Sequence, residues 1–395
     1  MSTASRRRAP SLLLGGAGFC VNISWQVVLP ILSLYLAHIG FSLAGIGLVV
    51  GLFSLTMGLV ELQASVIAAA IGRRWSLLGG LAANALCLGV AGIGHSRALV
   101  AVALAAVGAA RGVVVPPLHA TVADSATPEG RGRAFGSFWL WASLAALSGP
   151  AIGGFVAARS GEGAPFVLGA LFSLAAIPLI AGWRVPGRAA RRASFGDFTA
   201  FLSAPSVARL GVSILLCYSL AGLWTTYLPL YASRQGVSIV VIGWIFAIQG
   251  GMFAAMQIPT GRLTALEYGR WLTLAGIVGM AATELAIPLL HGGPQLLAAG
   301  AVFGAALGLT PVTFAMLITR RVPPDQYTAA MSVFNSAIDL GLFVGPLLGA
   351  AAARASVAAP FLLALPLGLT AVAIGLRGPR QTAPVAPASH EHVIP

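Results

Sequence analysis

Five ionisable side chains interrupt long apolar stretches: Glu61, Arg111, Asp124, Glu284 and Asp339. A charge at membrane depth costs at least ~2.5–3.5 kcal/mol, so each needs a partner, a proton or a wet cavity. Glu61 lies about eight residues, and Arg111 about eleven, from the same end of their stretches, or ~12 Å and ~16 Å at 1.5 Å per residue. An acid and a base at similar depth suit an ion pair, either a permanent structural one or one that protonation breaks. Asp339, with Asn335 one turn before it on the same helix face, has no evident basic partner. It suits a proton carrier or a helix–helix hydrogen bond. Glu284 is a further embedded acid, ranked below these. Asp124 stands at the edge of its stretch and suits a latch.

Other chemistries are poorly served. All 23 basic residues are arginine, so no Gly-x-x-x-x-Gly-Lys phosphate loop exists. The six histidines are dispersed, and Cys20, Cys87 and Cys217 lie in apolar segments at unrelated spacings. No metal site, cofactor site or enzyme nucleophile is expected. His119 reads as a packed or hydrogen-bonded residue in preference to a proton relay, and His390 and His392 as part of a solvated tail. The net charge of +13 comes from arginines in short loops, which read as topology signals and not as a nucleic-acid surface.

The elements that must hold these groups follow from composition. The chain is 58% hydrophobic and 8% charged, where ordinary globular domains carry about 25% charged residues. Its apolar runs are repeatedly ~20 residues long, enough to span a bilayer. The expected fold class is an all-α membrane protein of twelve transmembrane helices. The spans are placed at 12–37, 43–69, 76–95, 98–122, 133–157, 164–183, 210–232, 239–260, 271–290, 295–318, 328–353 and 357–376. The run after Arg6-Arg7-Arg8 is too long for a cleaved signal peptide and reads as the first span. Arginine is concentrated in alternate loops, which puts both termini in the cytoplasm. The expected division is 1–183 as one six-helix bundle, 184–209 as an Arg-rich cytoplasmic linker, 210–380 as a second bundle and 381–395 as a disordered tail.

An internal repeat supports two bundles. Gly149-Pro150-x-x-Gly153-Gly154 recurs 196 residues later as Gly345-Pro346-x-x-Gly349, and Arg74-Trp75 recurs at the same shift as Arg270-Trp271. An even number of spans per half makes the repeats parallel, with a cleft between the bundles.

The chain resembles a twelve-span transporter of the major facilitator superfamily, most like its bacterial drug and metabolite efflux branch. The resemblance covers about residues 12–377. It rests on Gly72-Arg73-Arg74 after the second span and on Arg111-Gly112 in the fourth. It rests also on Asp124 with Pro128-Glu129-Gly-Arg131-Gly-Arg133, and on the span-5 cluster, which is similar to a motif associated with antiporters. The loop departs from the family pattern, since Ser65, Ala69 and Ala70 replace its Gly, Asp and Arg. By resemblance, Arg73 should pair with Asp124 as a cytoplasmic latch that breaks on opening inward. Gly149, Pro150, Gly153, Gly154, Gly345 and Pro346 should gate the outer side by close packing against the opposite bundle.

Glu61, Arg111, Asp339 and Glu284 are the expected proton-coupling residues. Spans 1, 4, 7 and 10 should line the cleft, so Asn22, Trp25, Gln26, Tyr218, Thr225 and Phe314 are expected at the substrate, with Gln249, Gln257 and Asn335. Such a wall suits an amphipathic small molecule. The resemblance therefore implies proton-coupled efflux across a bacterial inner membrane by a monomer whose partners are the substrate, protons and lipid. Proton-coupled uptake of a small organic anion or sugar-like metabolite is the alternative.

Overall fold

The computed structural model describes residues 3–125, 131–182, 205–264, 268–320 and 327–376. These form helices and turns, with no strand among the described residues. The first group is α1 (Thr3–Gln26), α2 (Leu32–His38), α3 (Leu43–Ile71), α4 (Arg73–Ile93), α5 (Arg97–Asp124), α6 (Arg131–Ser160) and α7 (Ala164–Ala181). The second is α8 (Pro205–Arg234), α9 (Ile239–Leu263), α10 (Gly269–Ala286), α11 (Gly293–Gly308) and α12 (Thr310–Thr319), then α13 (Tyr327–Ala352), α14 (Ala359–Leu362) and α15 (Ala364–Leu376). Among the described residues, ten helical stretches are long and apolar enough to cross a membrane, where twelve spans are expected.

The first and last expected spans are not among these ten. The expected span 12–37 is interrupted between Gln26 and Leu32. Pro30 has no N–H to donate to the carbonyl four residues back, and the chain tightens there, with Ile31 N bonding Val28 O at 3.0 Å. The expected span 357–376 breaks at Leu363, whose N–H bonds Pro360 O at 3.1 Å. Pro366, next along, lacks an N–H as well. The tenth expected span is likewise divided at Leu309, just before Pro311. Helix α8 starts at Pro205, inside the expected linker 184–209, because proline suits the first turn, where N–H groups have no intrahelical acceptor. The rest of that linker, Pro128 and Glu129, and the tail 381–395 lie outside the described residues.

Short turns join the helices. Gly40 and Gly236 adopt φ of 91° and 74°, a region costly for residues with a Cβ. Ser42 and Ser238 then cap the next helices, accepting from Gly45 N at 3.1 Å and Val241 N at 3.4 Å. We call this the turn end of the molecule, and the opposite end, near residues 72 and 125, the terminal end.

Packing sorts the helices into two groups. In the first, α1 lies on α6 and α7, α5 on α3 and α4, and α4 on α7. In the second, α8 lies on α13 and α15, α9 on α11, and α10 on α11, α12 and α15. Between groups the main seams are α3 with α13 and α6 with α9. Lipid gives apolar helices no hydrophobic reason to associate, so close contact needs small residues. Gly47 sits against Pro346 O and Ala350, and Gly243 against Pro150 O and Gly154. A side chain at either glycine would collide with backbone of the other group.

Candidate functional site

Glu61 on α3 and Asp339 on α13 face each other across one seam, close enough for their carboxyl groups to interact. Gly58, one turn before Glu61, lies against the Asp339 side chain and leaves room for it. Ionised carboxylates have only acceptors and repel each other, so a hydrogen bond between these two groups would need a proton on one of them. Asp339 is 8% exposed and its Oδ2 has no partner among the described residues. Sequence alone left Asp339 without a partner; the partner is Glu61, an acid and not a base.

Arg111 on α5 lies within electrostatic reach of Glu61, as its depth suggested, but the two form no direct ion pair. The Arg111 guanidinium donates to Val21 O at 3.3 Å and sits 5.6 Å from the Trp25 ring centroid. Trp25 stacks in turn on Phe53, with ring centroids 4.0 Å apart. The cation is thus held by a carbonyl and a π face, leaving the Glu61 carboxyl free to engage Asp339.

Glu284 is fully buried in the second group, against the backbone at Trp224. Its carboxylate oxygens have no hydrogen bond of good geometry among the described residues. Its helix, α10, packs within the second group on α8, α11, α12 and α15.

Several expected substrate residues belong to the core instead. Gln249 accepts from Trp224 Nε1 at 2.8 Å, and Trp224 stacks on Phe303. Phe314 is fully buried, and Tyr218 is buried beside Thr310. Thr225 Oγ1 donates to carbonyls of its own helix, and Asn22 Nδ2 to Gly18 O at 2.8 Å. These polar atoms spend their capacity locally, as isolated polar groups in apolar helices must. Gln26 lies against Gly149. Gln257 is half-buried and Asn335 exposed, so both keep accessible surface.

The glycine–proline cluster divides its work. Gly149 and Gly153 receive the backbone around Gln26 and Val27, within the first group, whereas Pro150 and Gly154 face Gly243 across the seam. Gly345 lies against Ser219 O, and Pro346 O accepts from Tyr227 Oη at 2.9 Å. Close packing on the opposite bundle therefore holds for only part of the cluster, because successive helix positions point in different directions. Arg73 Nη1 and Asp124 Oδ2 form an ion pair at 2.6 Å. It joins α4 to α5 within one group, so it bridges no seam.

One feature escaped the sequence reading: an aromatic pocket around His119. The imidazole meets Phe138 edge-on at 5.4 Å and Trp139 at 5.7 Å. Consecutive aromatics in a helix facing a histidine were the available signal, though it does not separate packing from recognition.

Comparison with known proteins fits this architecture. The Probable actinorhodin transporter of Streptomyces coelicolor is 30% identical over 167 residues, 40% of this chain but 28% of that protein. Quinolone resistance protein NorA of Staphylococcus aureus is 25% identical over 159 residues, 40% of this chain and 41% of that protein. The chain thus matches less than half the length of either relative. Among solved structures, a point mutant of nucleoside transporter NupG aligns with a TM-score of 0.79 at 13% identity, covering 93% of this chain and 98% of that one. A bacterial homolog of the human lysosomal transporter Spinster, in an inward-facing conformation, aligns at 0.70 with 16% identity and 95% of each chain. These neighbours share the fold. The Major Facilitator Superfamily description matches residues 14–269 and 214–393, and the chain belongs to that family of transporters.

Proposed function

We propose that this protein exports a small amphipathic organic compound from a bacterial cell in exchange for protons, by alternating access. The single observation that carries this reading is the facing of two embedded acids, Glu61 and Asp339, across a seam, with Arg111 held behind them. In this reading the chain crosses the membrane twelve times, as the ten long stretches plus the two proline-broken ends, with both termini cytoplasmic. Contacts that recur 196 residues apart, such as Gly47 with Pro346 and Gly243 with Pro150, support two parallel repeats. The turn end then faces outward and is sealed at both seams. Losing a proton shared by the two acids leaves two carboxylates in contact, and their repulsion favours parting α3 from α13. Arg111 is then the nearby cation that holds Glu61 in its charged form until a proton returns.

The test uses energised inside-out vesicles, acid in the lumen, given 7-hydroxyflavone, ethidium or gluconate in turn. Exchange predicts that at least one aromatic probe releases lumenal protons, and that Glu61→Gln and Asp339→Asn each abolish the release. Release surviving both substitutions would sink coupling through this pair. Proton entry into the lumen with gluconate would instead favour uptake of an organic anion, for which Arg111 is the natural contact.

A further inference from the structure

The two seams are built alike but carry different chemistry. Along α3 and α13, Gly47 meets Pro346 and Ala350, Gly51 meets Phe343, and Gly58 meets Asp339. Along α6 and α9, Gly154 and Pro150 meet Gly243, and Ala146 meets Gly250. The helices of each pair run antiparallel. Continuing the second pairing toward the terminal end by helical periodicity brings Ser143 level with Ala254, and Trp139 level with Gln257, on the facing sides. Gln257 stands 196 residues after Glu61, and Asp339 stands 196 after Ser143. Where one seam has two carboxyl groups, the other has an amide and a hydroxyl.

This second position is open where the first is closed. Trp139 is 47% exposed although it lies on the face of α6 that packs against α9 one to two turns away. His119 lies 5.7 Å from its ring and makes no hydrogen bond to any described residue. Neither α6 nor α9 contains an acidic residue. An indole face, an imidazole and an amide that can donate and accept favour an uncharged flat ring system with a carbonyl or hydroxyl edge. A cation would find no countercharge there.

We infer that Trp139, Gln257, Ser143 and His119 form the substrate-recognition site, selective for uncharged planar aromatics bearing hydrogen-bonding oxygens, while the opposite seam handles protons. The inference rests on the transport reading above and locates the substrate in it. Trp139 supplies the stacking face, His119 flanks it within the same half, and Gln257 reaches from the other half to the oxygen edge. A ligand held this way touches both halves, so its binding is felt at the seam that must move.

The test is equilibrium binding of 7-hydroxyflavone to the purified full chain in lipid nanodiscs at fixed pH, without a proton gradient. Trp139→Ala and Gln257→Ala are each expected to weaken binding about tenfold or more, whereas Trp139→Phe, which keeps a flat ring, stays within about threefold. Trp244→Ala, an exposed tryptophan in the outer part of α9, is the control and should leave binding unchanged. Ethidium, a planar cation, should bind more weakly than the flavone. No flavone binding, a preference for ethidium, or unchanged affinity in either alanine variant of Trp139 or Gln257 would overturn the inference. Thermal melting of each variant separates loss of the site from loss of the fold. Because binding is read without proton movement, its failure leaves the vesicle result standing, and the reverse also holds.

Discussion

Glu162 shows what a single residue can reveal away from the coupled pair. It lies in the turn between α6 and α7, lining a cavity of about 770 Å³ at the turn end with Tyr35, His38 and His95. Its Oε2 is buried with no partner among the described residues. Burial raises its carboxyl above the ordinary 4.5, and His38 opposes the shift. An acid with a raised folded-state value binds more protons when folded. Its contribution to stability is therefore greatest below 4.5 and is lost as pH rises through the raised value. Glu162→Gln should barely alter the melting temperature near pH 4.5, and should raise it at about pH 8. Equal shifts at both pH values would contradict this assignment. The embedded acids themselves were legible in the sequence, because charge in an apolar run is conspicuous. That Glu61 meets Asp339 was not legible. Pairing residues far apart in sequence requires the register between two helices, and only Gly58, one turn from Glu61, hinted at where α13 could approach.

At the scale of elements, the glycines of α6 separate two kinds of close contact. A Cβ at Gly153 would run into Val27 O inside the first group, while one at Gly154 would meet Ile239 O and the Gly243 backbone across the seam. Gly153→Leu should therefore destabilise the fold by about 1–3 kcal/mol, the usual cost of overpacking, with a matching loss in melting temperature. Gly154→Val should instead disfavour the sealed turn end. The reactivity of a cysteine introduced at Ala157, a residue lining the turn-end cavity, toward a membrane-impermeant maleimide should rise in that background, with melting little changed. If Gly153→Leu opens the turn end without loss of stability, the division of labour within the cluster is wrong. The sequence marked this cluster and most helix positions, since apolar length and glycine–proline pairs are local signals. It did not mark the breaks between Gln26 and Leu32 or at Leu363, where proline removes a donor and the chain tightens. Membrane helices often tolerate proline without breaking, so Pro150 and Pro346 stay within α6 and α13 while Pro30 does not.

For the molecule as a whole, the paired seams make opening a two-sided event. The turn end is held by glycine–backbone contacts at α3/α13 and α6/α9, but only the first seam carries carboxyl groups. In the proposed exchange, protonation biases one side directly, and the other follows because the helices of each group are packed to one another. Spin labels at Ser96, in the first group, and Ser233, in the second, are both exposed at the turn end. Their separation should lengthen as pH rises and the Glu61–Asp339 proton is lost, since adjacent carboxylates repel. Asp339→Asn keeps a hydrogen-bonding side chain that never ionises, so it should hold the short distance at every pH. Trp139→Ala should leave the pH response intact, because it lies at the seam without carboxyl groups. If the Asp339→Asn protein opens with pH as the unmodified chain does, the proton shared across α3 and α13 does not set which end is closed. The conformational equilibrium would then have to be governed from the α6/α9 seam or from elsewhere in the bundle.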